Sequence, residues 1–144
     1  MENMDTIHLL KECDAGTKMA VTSIDEILEN VTNPAMKQIL SKSKQHHKQL
    51  EKEIHCLLAD CNSDEKDPAL MALGMSWLKT NFKLTMESGD AVVADLITEG
   101  CDMGIRSLYK YLNQYSAASE TAKAICNKVI TIEDDLRRDL RCYL

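Results

Sequence analysis

Acidic and imidazole side chains recur along segments whose apolar residues repeat at helical spacing, and they are the groups that could do chemistry. Helical bundles hold metal ions with acidic and imidazole side chains that project inward from four packed helices. The residues that could meet at mid-height are Asp14, His47, Glu99 or Asp102, and Glu133. They supply about one ligand per helix, fewer than a two-metal site needs. We therefore expect no such site and assign no metal ligand.

His47, Glu51 and His55 are spaced by four residues, so they share one helical face. Such a row can bind a metal ion, but this face lies partly outside the apolar stripe, and we interpret it as solvated. Asp14 falls where a core residue is expected, so its carboxylate should reach water or a hydrogen-bond partner. Positions at stripe edges that face water are expected for three further acids: Glu99, Asp102 and Glu133.

The six cysteines form no C-x-x-C pair, and their scattered spacing is unlike that of a zinc site. We interpret them as small buried or half-buried thiols, with a redox or metal role as the alternative. Cys56 and Cys61, the closest pair in sequence, are the candidates for that alternative. The complete set is Cys13, Cys56, Cys61, Cys101, Cys126 and Cys142.

Other chemistry has no signal in the sequence. No strand precedes a glycine-rich phosphate loop, and no spacing of Ser, Cys and His marks a nucleophile with its base. Tyr109, Tyr111 and Tyr115 are interpreted as packing or surface residues. The sequence therefore identifies no catalytic and no cofactor-binding residue.

The apolar stripes predict an all-α protein of five helices, with caps at most junctions. Asn33 followed by Pro34 is typical of a helix start, and Asp90 and Ser119 are predicted to cap later helices. Gly89 is predicted to be left-handed after the third helix, which carries Trp77. The predicted helices are 4–30, 34–61, 68–87, 90–115 and 119–142.

Two glycines lie one turn apart within the packed face of the segment 90–115. Gly100 and Gly104 each cost about 1 kcal/mol relative to alanine in a helix interior. We expect a neighbouring helix that passes close to this face to offset the cost.

Composition sets broad limits on the protein. The 144 residues are predicted to form a single domain, 1–144. The net charge of −6 argues against a nucleic-acid partner, because such proteins usually carry a basic face. No apolar run reaches the ~18 residues of a membrane span, and no signal peptide is visible. A cytoplasmic protein without a membrane partner is expected.

Three segments carry a resemblance to a known group. They are Cys13-Asp14-Ala15-Gly16, Gly74-Met75-Ser76-Trp77-Leu78-Lys79, and Glu99-Gly100-Cys101-Asp102-Met103-Gly104 with Tyr109-Lys110-Tyr111. Over nearly the whole chain the sequence resembles small bacterial ferritin-like helical-bundle domains of unknown function. The resemblance implies a four-helix bundle with an additional crossover helix, 68–87, between its two helix pairs.

The sequence departs from the metal-binding relatives of that group, which use Glu-x-x-His on two helices. That motif is absent, and every histidine lies between His8 and His55. The resemblance and this departure favour a non-enzymatic binding or assembly protein without a cofactor, and by analogy a homodimer. The alternative is a metal-dependent oxidase or iron-handling protein with iron or manganese on the same fold.

Overall fold

The computed structural model describes residues 3–63 and 89–144. Every regular element in those residues is helical, and no strand occurs among them. The four α-helices are α1 (Met4–Ile27), α2 (Pro34–Asp60), α3 (Asp90–Gln114) and α4 (Glu120–Asp139). Short 3₁₀ turns follow α1 and α4, at Leu28–Asn30 and Arg141–Tyr143. The all-α prediction is confirmed for these residues, and the helix predicted at 68–87, with Trp77, lies outside them.

Most helix starts follow from local capping chemistry. The Asn33 side chain accepts hydrogen bonds from the backbone N–H groups of Ala35 and Met36, and Pro34 occupies the first turn of α2. Ser119 accepts one from the N–H of Ala122 at the start of α4. Both caps agree with the sequence prediction, because a capping side chain needs only its own neighbours.

The start of α3 differs from the prediction. Asp90 is its first residue rather than its cap, and the Asp90 carboxylate accepts hydrogen bonds from the backbone N–H of Thr32 at 2.8 Å and of Asn33 at 3.0 Å. The Thr32 hydroxyl donates a third, and these bonds lower the pKa of Asp90. Gly89 is extended, with φ 163° and ψ 164°, so the left-handed prediction is wrong. Asp90 thus ties α3 to the α1–α2 connection.

Two helix pairs form the described bundle. α1 packs most extensively on α2 and α3 on α4, while α4 also contacts both helices of the first pair. α1 and α3 touch each other least among these pairs.

At the end of the bundle opposite to the Asp90–Thr32 bond, the Asn3 amide donates to the Ala117 carbonyl at 2.8 Å, and the Ser119 N–H donates to the Thr6 hydroxyl. These bonds join the start of α1 to the α3–α4 link.

The buried apolar side chains of residues 3–63 and 89–144 form two clusters. The Leu9 cluster comprises Leu9, Leu10, Cys13, Leu50, Ile54, Leu58, Leu108, Ala118, Ala122, Ile125, Cys126, Val129 and Ile130. The Ile24 cluster comprises Ile24, Ile27, Val31, Met36, Leu40, Val93, Ala94, Leu96, Ile97, Cys101, Leu136 and Leu140. None of the helices in the described ranges has an apolar stretch that could cross a membrane.

Candidate functional site

A layer of buried polar side chains lies between the two apolar clusters. On each of α1, α2 and α4, polar residues fall between those that join the Leu9 cluster and those that join the Ile24 cluster. We call them the polar layer: Asp14, Thr17, Ser43, His47 and Glu133. On α3 the corresponding interval, between Cys101 and Leu108, contains Gly104. Polar groups at this depth lose contact with water, so each should have a partner.

A cavity of about 390 Å³ opens along this layer. α1 and α3 form its two long walls. α2 contributes His47, and α4 contributes Glu133 and Leu136. Its mostly apolar walls comprise Glu12, Ala15, Gly16, Met19, Ala20, Ser23 and Ile24 on α1, and Leu96, Ile97, Gly100, Cys101, Met103, Gly104, Ser107, Leu108 and Tyr111 on α3.

His47 presents an acceptor to the cavity. Its side chain is fully buried, and Nδ1 lies 2.8 Å from the carbonyl oxygen of Ser43. Because a carbonyl only accepts, Nδ1 carries the hydrogen and Nε2 carries the lone pair. Burial lowers the pKa of His47 from 6.5, against the effect of the Ser43 bond, so the ring is neutral at pH 7. Nε2 has no hydrogen-bond partner among the described residues.

Glu133 presents a carboxyl group to the same cavity. It is 7% exposed, and Oε2 has no hydrogen-bond partner within residues 3–63 and 89–144. Burial raises the pKa of Glu133 from 4.5 to about 8, and the Cys126 thiol adds to the shift. The expected edge position facing water is therefore wrong. Glu133 belongs to the buried face of α4, where Val129, Ile130 and Leu136 each lie about one turn away.

Gly104 makes room for that carboxyl. A Cβ at this position would lie 2.8 Å from Oε2 and 2.9 Å from Oε1 of Glu133. The described atoms nearest to this Cβ thus belong to a side chain of α4, at a position where a closely passing helix was predicted. At Gly100 and Gly16, no described atom lies within 4 Å of an added Cβ, and both glycines line the cavity. The close contact predicted at Gly100 is thus not found among the described residues.

Glu12 and Tyr111 line the cavity between α1 and α3. Burial, followed by the charge of Glu12 and a hydrogen bond to it, raises the pKa of Tyr111. Tyr111 stacks on Tyr115 with ring centroids 6.2 Å apart, and Tyr115 also contacts the His8 ring. Tyr109 is exposed. The packing and surface roles expected for these tyrosines agree with this arrangement.

Asp14 forms a separate charged cluster between α1 and α2. Its carboxylate is fully buried; Oδ1 lies 2.7 Å from His55 Nε2, and Oδ2 lies 3.0 Å from Lys18 Nζ. Glu51 Oε1 is 3.8 Å from the same His55 nitrogen. The row His47, Glu51 and His55 is therefore not simply solvated: His47 enters the cavity, and the other two stand beside Asp14.

The remaining candidate acids lie outside the cavity. Glu99 is exposed, and Asp102 Oδ1 accepts a hydrogen bond from Arg137 at 2.6 Å. Arg137 also binds Asp134, at 2.5 Å. The acids and the imidazole that the sequence suggested could converge are thus divided, and only His47 and Glu133 share a cavity.

The cysteines are free thiols in mixed environments. Cys13, Cys101 and Cys126 are buried, Cys61 is partly buried, and Cys56 and Cys142 are exposed. Cys13 on α1 hydrogen-bonds with Cys126 on α4, and this bond, followed by burial, raises the pKa of Cys13. The buried-thiol interpretation holds for part of the set. In the described ranges, no group of three or more His, Cys, Asp or Glu side chains is arranged to hold a metal ion.

Sequence reasoning missed the cavity itself. Its signals were indirect: glycines at positions 16, 100 and 104, and polar residues at core positions of α2 and α4. Each has a common local explanation, and only the packing shows that they border one space. Comparisons with protein-family models, with curated proteins and with solved structures found no significant match in any of the three.

Proposed function

We propose that the protein is a non-enzymatic binding protein whose ligand is a small, mostly apolar molecule held between α1 and α3. One observation carries this: an apolar cavity of about 390 Å³ whose lining includes His47 and Glu133, two buried side chains that each have a polar atom without a described partner. Ligand sites in proteins are typically concave, mainly apolar and supplied with a few polar groups that orient the ligand. A buried polar atom costs free energy until it is hydrogen-bonded, so a ligand that bonds both atoms gains affinity.

The finer architecture belongs to the same proposal. We propose a single-domain, cytoplasmic, ferritin-like bundle of bacterial type with a crossover between α2 and α3, and a homodimer as its assembly. Support for the crossover comes from the start of α3, where Asp90 bonds Thr32 at the end of the bundle opposite to the end of α2. Light scattering tests the assembly: a mass of two chains supports the dimer, and a mass of 16.2 kDa contradicts it.

Binding is tested with N-phenyl-1-naphthylamine, an uncharged probe that fluoresces in apolar surroundings. We expect saturable binding at one site per chain. Gly100→Phe should abolish it, because the added ring enters the cavity where no described atom lies within 4 Å of the Cβ. Gly100→Ala adds little volume and should keep it. Ala91→Phe is the matched control, since Ala91 is exposed on the same helix and does not line the cavity.

Each outcome decides the proposal. Saturable binding that Gly100→Phe removes and Ala91→Phe preserves supports the cavity as the ligand site. Absence of saturable binding to the wild type contradicts it, and so does binding that Gly100→Phe leaves intact. Circular dichroism and melting temperature of each variant show that a loss of binding comes from a folded protein.

A further inference from the structure

Two buried side chains of the cavity wall each have a polar atom without a described hydrogen-bond partner. His47 is fully buried, and its Nε2 can only accept, since Nδ1 donates to the Ser43 carbonyl at 2.8 Å. Glu133 is buried, lines the cavity and has Oε2 without a described partner. His47 therefore needs a donor from the ligand, and the Glu133 carboxyl accepts one as well when it is ionised. An ammonium group brings three donors and no acceptor.

Charge on the wall points the same way. The described residues that line the cavity include two acids, Glu12 and Glu133, and neither lysine nor arginine. An anionic ligand such as a fatty-acid carboxylate would enter an apolar space whose described lining offers it no lysine or arginine, which disfavours it. A cation would meet acids, the Tyr111 ring and the Met19 side chain, and aromatic faces attract cations.

We infer that the cavity selects a hydrophobic amine, a molecule with an apolar body and one protonated amino group that pairs with Glu133 and donates to His47. This inference rests on the proposed binding function and names its ligand class. The apolar residues of α1 and α3 would cover the body of the ligand, and the polar layer would hold its amine. Charge-assisted hydrogen bonds of this type are about twice as strong as neutral ones.

Binding of the amine is accompanied by the release of one proton from Glu133. Because burial raises the pKa of Glu133 to about 8, the free protein carries the protonated acid at pH 7. When the ammonium binds, Glu133 releases its proton to the solvent, and the carboxylate pairs with the cation. Among the described residues, the titratable groups that face Glu133 are the thiols of Cys13 on α1, Cys101 on α3 and Cys126 on α4, and His47 lines the cavity from α2.

Three probes with the same naphthalene body test the inference by calorimetry at pH 7. They are 2-naphthylmethylamine, 2-naphthalenemethanol and 2-naphthoate, which are cationic, neutral and anionic. We expect the amine to bind about ten-fold more tightly than the alcohol, and the naphthoate to bind more weakly than either. Amine binding should also release protons, which is measured by repeating the titration in buffers of different ionisation enthalpy.

Glu133→Gln should level the affinities of the amine and the alcohol and abolish the proton release. Glu99→Gln, which removes an exposed acid from α3, should change neither and controls for the net charge of −6. Equal binding of amine and alcohol to the wild type overturns the inference and leaves the binding function standing, provided that Gly100→Phe removes both. An amine preference that survives Glu133→Gln also overturns it. If neither these three probes nor N-phenyl-1-naphthylamine binds, the binding function itself fails.

Discussion

The carboxyl oxygens of Glu133 on α4 lie 2.8 and 2.9 Å from the point at which a Cβ would project from Gly104 on α3. The absence of a side chain at Gly104 therefore lets an acid enter the core between two apolar clusters. This relationship links the two features that define the candidate site, the glycines of α3 and the polar layer. It also allows the site to be tested with small, matched substitutions at Gly104 and Glu133.

The two glycines of α3 should respond differently to alanine. Gly100→Ala should raise the free energy of unfolding by up to about 1 kcal/mol, because alanine favours helices and no described atom lies within 4 Å of its Cβ. Gly104→Ala should fall short of this by about 1 kcal/mol or more, because the Glu133 carboxyl must move. Urea denaturation measures both values.

The control for this pair of substitutions is a variant that lacks the Glu133 carboxyl. In Glu133→Ala, the substitution Gly104→Ala should recover the gain seen at Gly100. Equal effects of the two alanines in the wild-type background would show that Glu133 does not occupy the space beside Gly104.

Glu133→Gln should change how stability depends on pH. The acid keeps its proton in the folded protein up to about pH 8 but releases it near 4.5 when unfolded. The unfolded state is therefore favoured increasingly as pH rises from 4.5 to 8, by up to about 1.4 kcal/mol per pH unit. The glutamine variant lacks this contribution, so its advantage over the wild type should grow across that window and level off above it. Urea melts at pH 5 to 9 measure the difference, and parallel pH profiles would contradict a buried acid.

Asp14→Asn should destabilise the protein by about 2 kcal/mol. Asp14 is fully buried, and the change removes the charge that faces His55 and Lys18. The expected loss lies below the roughly 3–5 kcal/mol for breaking a fully buried pair, because both partners reach water. The matched control is Asp25→Asn, which removes the exposed ion pair between Asp25 and Lys44 on the same two helices. It should cost less than about 1 kcal/mol. A loss as small for Asp14 as for Asp25 would show that the buried carboxylate contributes nothing.

Sequence reasoning succeeded where neighbouring residues decide the outcome. Asn33, Pro34 and Ser119 act on the first turn of their own helices, so their roles could be predicted. Asp90 was assigned wrongly because its partners, Thr32 and Asn33, lie far away in sequence and compete with the capping role.

Glu133 was assigned wrongly for a related reason. An acid in an apolar stripe is usually at its edge, and nothing in α4 indicates that α3 provides a space for it at Gly104. The cavity depends on the same kind of information, since its walls come from α1 and α3, which are distant in sequence. Within the described residues, helix type and position were thus predictable, whereas the site depends on packing between helices distant in sequence.

Metal content is the prediction that separates a binding protein from a metal-dependent oxidase. We expect the chain to fold without metal and to purify with less than one iron, manganese or zinc per chain. The physical reason is the dispersal of the candidate ligands: Asp14 pairs with His55, Asp102 pairs with Arg137, and Glu99 is exposed. Elemental analysis of untagged protein, with melts in the presence and absence of chelator, tests this. Two metals per chain together with a chelator-induced drop in melting temperature would favour the oxidase.

The most direct test of the cavity as a ligand site is nuclear magnetic resonance of protein with ¹³C-labelled methionine methyl groups. Met19 and Met103 line the cavity, whereas Met4 is exposed elsewhere and Met36 is buried in the Ile24 cluster. Titration with 2-naphthalenemethanol should shift the Met19 and Met103 signals and leave those of Met4 and Met36 in place. In Gly100→Phe the titration should shift none of the four. Signals of Met19 and Met103 that stay fixed in the wild type at saturating probe would contradict the proposed site.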